Sequence, residues 1–313
     1  MYRIRSLGGL LLLALSLTVS ACASASSTSS ATGASSVAPA FPMTIQAANG
    51  PVTLETAPTK IVSISPTATE MLFAVGAGEQ VVATDSYSDY PADAPTTDLS
   101  AYEPNVEAIA AYDPDLVVYS NDPGDLQKSL DKLHIPALLQ PAAATIDDVY
   151  AQLQQLGQAT GHATYAQAQV DDLQAQVATV SAAVADAGSG MTYYYELDDT
   201  YYSVTSDTFI GNLLGELGLT NIADGAKGAS SGYPQLSAEY IVAADPTLIL
   251  LADTKCCGQD AASVAARPGW AHLRAVEDGG VVQLDDDVAS RWGPRVVQLL
   301  QQVGDAVQEQ AAA

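Results

Sequence analysis

Positive charge is scarce in this 313-residue chain: 11 Lys and Arg stand against 36 Asp and Glu, a formal net charge of −25. That balance excludes nucleic acid as a partner, because phosphate neutralisation needs Lys and Arg. It equally disfavours adsorption to an anionic lipid surface. Cysteine is nearly absent, with Cys22 and the adjacent pair Cys256 and Cys257. Only three histidines occur, His134, His162 and His272, and they show no metal-ligand spacing. A metal held by the cysteine pair would need further ligands nearby. A vicinal disulfide, strained against ordinary geometry, or an inert thiol pair fits the composition better. No His-Glu-x-x-His and no Gly-x-x-x-x-Gly-Lys-Ser/Thr occurs, so zinc hydrolysis and nucleotide binding lack their usual equipment. The adjacent acids Asp198 and Asp199 would point apart on a strand. An exported hydrolase is therefore the weaker expectation, and the chain reads as a binding protein without a cofactor.

The ends of the chain carry a different signal. Arg3 and Arg5 precede an uncharged apolar run from Leu7 to Val19, and small residues lead to Cys22. A basic start, a short greasy core and small residues before a cut site describe an export signal over residues 1–21. The run is short of the roughly 20 residues that span a bilayer. The stretch before Cys22 resembles the lipobox of bacterial lipoproteins, which implies lipid on Cys22 and an extracytoplasmic protein anchored to the cell membrane. Residues 22–40 are mostly Ser, Ala and Thr, a composition that reads as a tether. Loss of residues 1–21 removes two basic residues and no acid, which leaves nine against 36 and a charge of −27.

From residue 41 onward, short apolar runs alternate with helical patterns. Ile61–Ser65, Val81–Asp85, Leu116–Ser120 and Ala137–Gln140 read as buried strands, with helices over Ala68–Val75 and Val106–Ala111. The pattern returns as strands over Thr192–Leu197, Thr247–Leu251 and Val281–Leu284, and helices over Phe209–Leu217 and Ala238–Ala243. Thr164–Ala187 lacks Gly and Pro and places Val170, Leu173, Val177, Val180 and Val184 at helical spacing, which predicts one long helix. The fold class is α/β: two Rossmann-like lobes with mainly parallel sheets joined by one long helix. The expected boundaries are 41–160 for the first lobe, 161–188 for the linking helix and 189–313 for the second lobe.

The halves also repeat. Asn105–Ser120 reads NVEAIAAYDPDLVVYS and Ser237–Ala252 reads SAEYIVAADPTLILLA, aligned without a gap. Asn105 and Ser237 suit helix N-caps, and Glu107 and Glu239 then fall in the first turns. Those acids would favour the helix dipole by roughly 0.3–1 kcal/mol. One carboxylate per lobe would equally suit a two-fold symmetric partner.

Jointly, four stretches resemble the two-lobed periplasmic binding proteins that serve importers of cobalamin, ferric siderophores and haem. They are Lys60–Ser65 followed by Pro66-Thr67-Ala68-Thr69-Glu70, then Asn105–Ser120, then Ser237–Ala252, then Ser290-Arg291-Trp292-Gly293-Pro294-Arg295. The resemblance covers nearly all of the chain after the tether. It implies that Glu107 and Glu239 dock on an ABC permease dimer whose ATPase subunits supply the energy. Within the family the likeness is to cobalamin binders, which implies ligand contacts from Tyr87, Tyr90, Tyr102 and Tyr233 and from Asp287 with Arg291. Tyr stands here where a better-known cobalamin binder has Trp. A ferric siderophore or haem remains open, with Tyr87, Tyr90 or Tyr102 as an iron ligand.

The aromatic inventory supports a bulky ligand independently. The chain has 15 Tyr against 3 Phe and 2 Trp, and Tyr joins an apolar face to a polar tip. About half of these Tyr should be structural, because Tyr193 and Tyr195 share one strand face and Tyr194 takes the other. Arg291 offers a rigid fork of donors that Asp287, four residues earlier, would orient. The alternative is a local surface pair worth about 0–1 kcal/mol. Arg295 reads as structural.

Overall fold

The computed structural model describes residues 40–313. Signal, tether and Cys22 lie outside the described residues, apart from Ala40. The described chain opens with an antiparallel hairpin, β1 (Met43–Ala47) and β2 (Gly50–Leu54). A five-stranded sheet follows, built from β3 (Ile61–Ile64), β4 (Val81–Asp85), β5 (Thr96–Leu99), β6 (Leu116–Tyr119) and β7 (Ala137–Leu139). Its order is β5-β4-β3-β6-β7 and every pairing is parallel. A second sheet holds β8 (Thr192–Glu196), β9 (Thr220–Asn221), β10 (Leu248–Leu251) and β11 (Val281–Gln283), in the order β11-β10-β8-β9 and again parallel. Each order reverses direction beside its first strand, between β3 and β6 and between β8 and β10. In open parallel sheets, ligands bind outside the strands' carboxyl ends at such a reversal.

The strands are near-continuous apolar runs because both faces are covered. IVSI in β3, LVVY in β6 and LILL in β10 are buried throughout. Alternate residues serve different layers, as the pleat requires. Leu248 and Leu250 face one apolar cluster while Ile249 and Leu251 face another.

The linking helix runs from Ala163 to Gly188, about 39 Å at 1.5 Å per residue. Val170, Leu173, Val177 and Val184 are buried and Val180 is partly so, as the periodicity predicts. One apolar cluster passes from Ile61 and Leu116 in the first lobe through these residues to Tyr193 and Leu248 in the second. The helix packs against the Ile146–Thr160 helix before it and the Val296–Ala312 helix at the end of the chain. At the turn into the helix, the hydrogen of Gly157 leaves room for Ala166, whose Cβ would lie 2.2 Å from a Cβ added there.

The two repeats fold alike. The Asn105 side chain accepts from the Ala108 amide at 3.0 Å, and the Ser237 hydroxyl from the Tyr240 amide at 3.2 Å. Asp113 and Asp245 both take left-handed backbone, with φ of 52° and 44°, before their prolines. Strand ends fall within one or two residues of the predicted ones. The two-residue β9, the exposed edge strand β5 and the helices Ile146–Thr160, Asp286–Ser290 and Val296–Ala312 are additions to the sequence-based reading.

Candidate functional site

A cavity of about 340 Å³ lies at the carboxyl end of the first sheet. Ile64 and Ser65 after β3, Asp85 ending β4, and Ser120 and Asn121 after β6 form its floor. The other wall is Asp287 and Ser290–Trp292 from beyond β11, so the cavity lies between the lobes. Hydroxyls dominate the floor: Ser120 Oγ lies 2.6 Å from Ser65 Oγ, and Ser65 also caps the Pro66–Ala74 helix. Asp85 accepts from Ser88 Oγ at 2.7 Å and from the Tyr87 amide at 2.9 Å. Burial pushes its carboxyl up, and those two donors partly offset the shift.

Tyr87 and Tyr102 stand at the mouth with rings edge to face, centroids 5.8 Å apart. They are 59% and 74% exposed, a large apolar area with no protein partner. Tyr90 lies beside them in sequence but serves Arg295, whose guanidinium sits 4.2 Å above its ring. Tyr233 is half-exposed on the second lobe and does not line the cavity. Tyr193, Tyr194 and Tyr195 are all core residues. Tyr195 donates to the Ala289 carbonyl at 2.8 Å, and Tyr194 packs edge-on against Trp270.

Arg291 lines the cavity with its charge fully engaged. One terminal nitrogen donates to Glu70 at 2.9 Å and Asp89 at 3.1 Å. The other donates to Asp287 at 2.6 Å and to the Tyr87 carbonyl at 3.0 Å. Arg295 meets the same Glu70 through two bonds of 2.8 and 2.6 Å. Glu70 is buried in the first lobe, 221 and 225 residues away in sequence from these partners. A bidentate carboxylate shared by two guanidiniums is a strong, directional arrangement. Trp292 adds an indole hydrogen bond to Gln152 at 3.2 Å. The segment 291–295 therefore clasps the first lobe. Local sequence shows only the i,i+4 pair of Asp287 and Arg291, which is why Glu70 escaped the sequence reading as a site residue.

The matching edge of the second sheet is closed. Glu196, at the end of β8, is buried and held by both terminal nitrogens of Arg267 at 2.6 and 2.5 Å. Arg267 lies over the Trp270 ring at 4.6 Å. Asp253, after β10, is also buried, and neither carboxylate oxygen has a protein partner. Desolvation and then the Glu196 charge push its pKa up to about 7.

Glu107 and Glu239 are both exposed in the first turns of their helices. Backbone and Ser237 hydrogen bonds hold the Glu239 carboxyl below its usual range. Glu107 lines its own concave surface with Tyr102, Asn105, Pro123 and Leu126. Gly228–Gly232 reads Gly-Ala-Ser-Ser-Gly, the spacing of a nucleophile elbow, which the sequence reading passed over. It forms an exposed single 3₁₀ turn, not the strand–turn–helix that such chemistry requires. Among the described residues, no group of three His, Cys, Asp or Glu could hold a metal ion, and no helix is long and apolar enough to cross a membrane.

Residues 61–288 match the family model described as periplasmic binding protein. The chain belongs to that family. An ABC transporter substrate-binding lipoprotein of Bacillus subtilis, YvrC, is 28% identical over 85% of this chain and 86% of its own length. A cobalamin-binding protein of Halobacterium salinarum is 30% identical over 85% of this chain and 74% of its own. Among solved structures, a periplasmic solute-binding protein of Staphylococcus epidermidis, described as a possible iron-binding protein, superposes with a TM-score of 0.70 at 25% identity, covering 80% of this chain and 99% of its own. This periplasmic binding protein is the substrate-binding component of an ABC transporter. Such components carry ligand to a permease, and the two-lobed α/β architecture agrees with it.

Proposed function

We propose that the protein captures a corrinoid, a neutral amide-rich macrocycle, between its lobes and delivers it to the importer's permease, held at the membrane by lipid on Cys22. The observation that carries this reading is the engagement of Arg291. Among the described residues it is the only cationic side chain lining the cavity, and three carboxylates and a carbonyl already use its terminal nitrogens. A ligand rich in carboxylates, such as haem, would meet Asp85 and Asp287 without a free positive charge to answer it. Amide groups suit the floor better, since Ser65, Ser120 and Asn121 both donate and accept. A corrinoid exceeds the 340 Å³ cavity, so only one edge enters while the exposed faces of Tyr87 and Tyr102 take its apolar plane. Tyr90 supports the clasp, and Tyr233 reaches the ligand from the second lobe. Cobalamin-binding relatives support the same ligand class.

Capture needs little movement, because the linking helix and the clasp both oppose hinging. Glu107 and Glu239 then dock on the two-fold permease, one from each lobe, and spreading of the lobes releases the ligand. The chain serves as a carrier and not as an enzyme. Titration of the purified protein with cyanocobalamin, haem and a ferric hydroxamate, followed by tryptophan fluorescence and calorimetry, tests the ligand. One-to-one binding of the corrinoid alone is expected; binding of only haem or the hydroxamate overturns the ligand and keeps the transport role. Glu107→Ala with Glu239→Ala should abolish uptake with ligand affinity unchanged, and normal uptake by that variant removes the docking assignment.

A further inference from the structure

The adjacent thiols of Cys256 and Cys257 take no part in the cleft chemistry above. Both are free and exposed. They end a one-turn helix, Thr254–Cys257, stopped by Gly258 at φ +68°. This turn is tied to the rim of the cleft. The amides of Lys255 and Cys256 donate to the Asp286 carboxylate at 3.0 and 2.9 Å, and the Thr254 hydroxyl does so at 2.9 Å. Lys255 Nζ bridges Asp285 at 2.7 Å and Asp287 at 2.8 Å. Asp287 in turn holds Arg291. The thiols are thus two residue contacts from the clasp.

We propose that Cys256 and Cys257 form a reversible vicinal disulfide, oxidised by small external disulfides, and that its closure unwinds the Thr254–Cys257 turn and frees Asp286 at the cleft rim. The geometry requires the unwinding. Neighbouring side chains on a helix diverge by about 100°, whereas a disulfide needs its two Cβ atoms about 3.5–4.5 Å apart. The peptide joining the two cysteines must rotate, and it carries the Cys257 amide, whose bond to the Asp253 carbonyl at 3.2 Å closes the turn; opening that turn draws the Lys255 and Cys256 amides away from Asp286.

The chemistry balances as two exchanges. The Cys257 thiolate attacks a disulfide RSSR, giving a mixed disulfide and one thiolate RS⁻. Cys256 then loses its proton to solvent and attacks the Cys257 sulfur, expelling the second RS⁻. The two protein thiols are oxidised and RSSR is reduced to two RSH.

The test uses the whole protein, incubated with oxidised glutathione and then compared with the reduced form by peptide mass and amide hydrogen exchange. No ligand is needed, so the outcome stands apart from the corrinoid reading. The peptide carrying both cysteines should become lighter by two hydrogens. Exchange over residues 254–257 and 286–291 should rise about ten-fold or more, a local opening of the fold, and return on reduction with dithiothreitol. Cys257→Ser should show neither change. A peptide that stops at the glutathione adduct, or ring closure with unchanged exchange at residues 286–291, overturns the proposal.

Discussion

The two lobes share a repeat and a sheet pattern yet differ at the place where parallel sheets bind ligands. In the first lobe the reversal between β3 and β6 is open and lined by Ser65 and Ser120. In the second, the reversal between β8 and β10 is filled by Glu196, Arg267 and the unpartnered Asp253. Duplication supplied two equivalent edges, and one became a floor while the other became a plug. The second lobe contributes to the cleft through the segment beyond β11, where Arg291 and Arg295 reach across to Glu70.

Two substitutions that remove one side of a buried ion pair should separate the clasp beside the floor from the plug. Glu70→Ala strips two largely buried guanidiniums of their shared carboxylate, and Arg267→Ala leaves Glu196 buried without a cation. Each should cost about 3–5 kcal/mol in urea unfolding. Ligand affinity distinguishes them: Glu70→Ala should weaken it, and Arg267→Ala should leave it within a factor of about two. Equal losses from both would break the division between floor and plug.

Asp253 gives a pH-dependent version of the comparison. Its folded pKa of about 7 lies above the unfolded value near 3.8. The folded state therefore binds the extra proton between those values, and stability falls as pH rises from about 4 to 7. That window spans about three pH units, each worth roughly 1.36 kcal/mol, which sets a ceiling of about 4 kcal/mol. Asp253→Asn should flatten this slope and raise the denaturation midpoint at pH 8. A slope unchanged by the substitution would assign the pH dependence elsewhere.

The smallest expected effect concerns what the lobes retain in common. Asn105→Ala and Ser237→Ala each remove one helix cap and should each cost about 1 kcal/mol. A cap that proves worthless in one lobe would mean that tertiary packing has taken over that helix there.

The backbone of this molecule was readable because its signals are local. β3, β6 and β10 are apolar runs that only a doubly covered sheet tolerates, and the linking helix carries a stripe of Val and Leu without a breaker. The repeat exposed Glu107 and Glu239 because both lie at fixed offsets from a cap. The cleft was only half readable. Tyr87, Tyr102, Asp287 and Arg291 come together at one cavity, yet nothing near residue 291 announces that its main partner is Glu70. Tyr90 and Tyr233 came with them from the resemblance to cobalamin binders; the Tyr90 ring lies under Arg295, and Tyr233 stands outside the lining of this cavity. Asp253 gave no signal either, since an acid after a buried strand looks the same whether it meets water or Glu196.

The clasp also sets an order of assembly. A chain entering from its N-terminus can pair β3 to β7 while Glu70 still waits for residues 291 and 295, 221 and 225 positions later. Contacts of such separation are slow to form, because a long loop must close before they yield any stability. The cleft is then the last part of the protein to be completed. A chain cut short before Arg291 would carry a folded first sheet and a Glu70 carboxylate without its guanidiniums, and half of the cleft wall would be missing. Competence to capture ligand thus reports that the chain has arrived at least as far as Arg295.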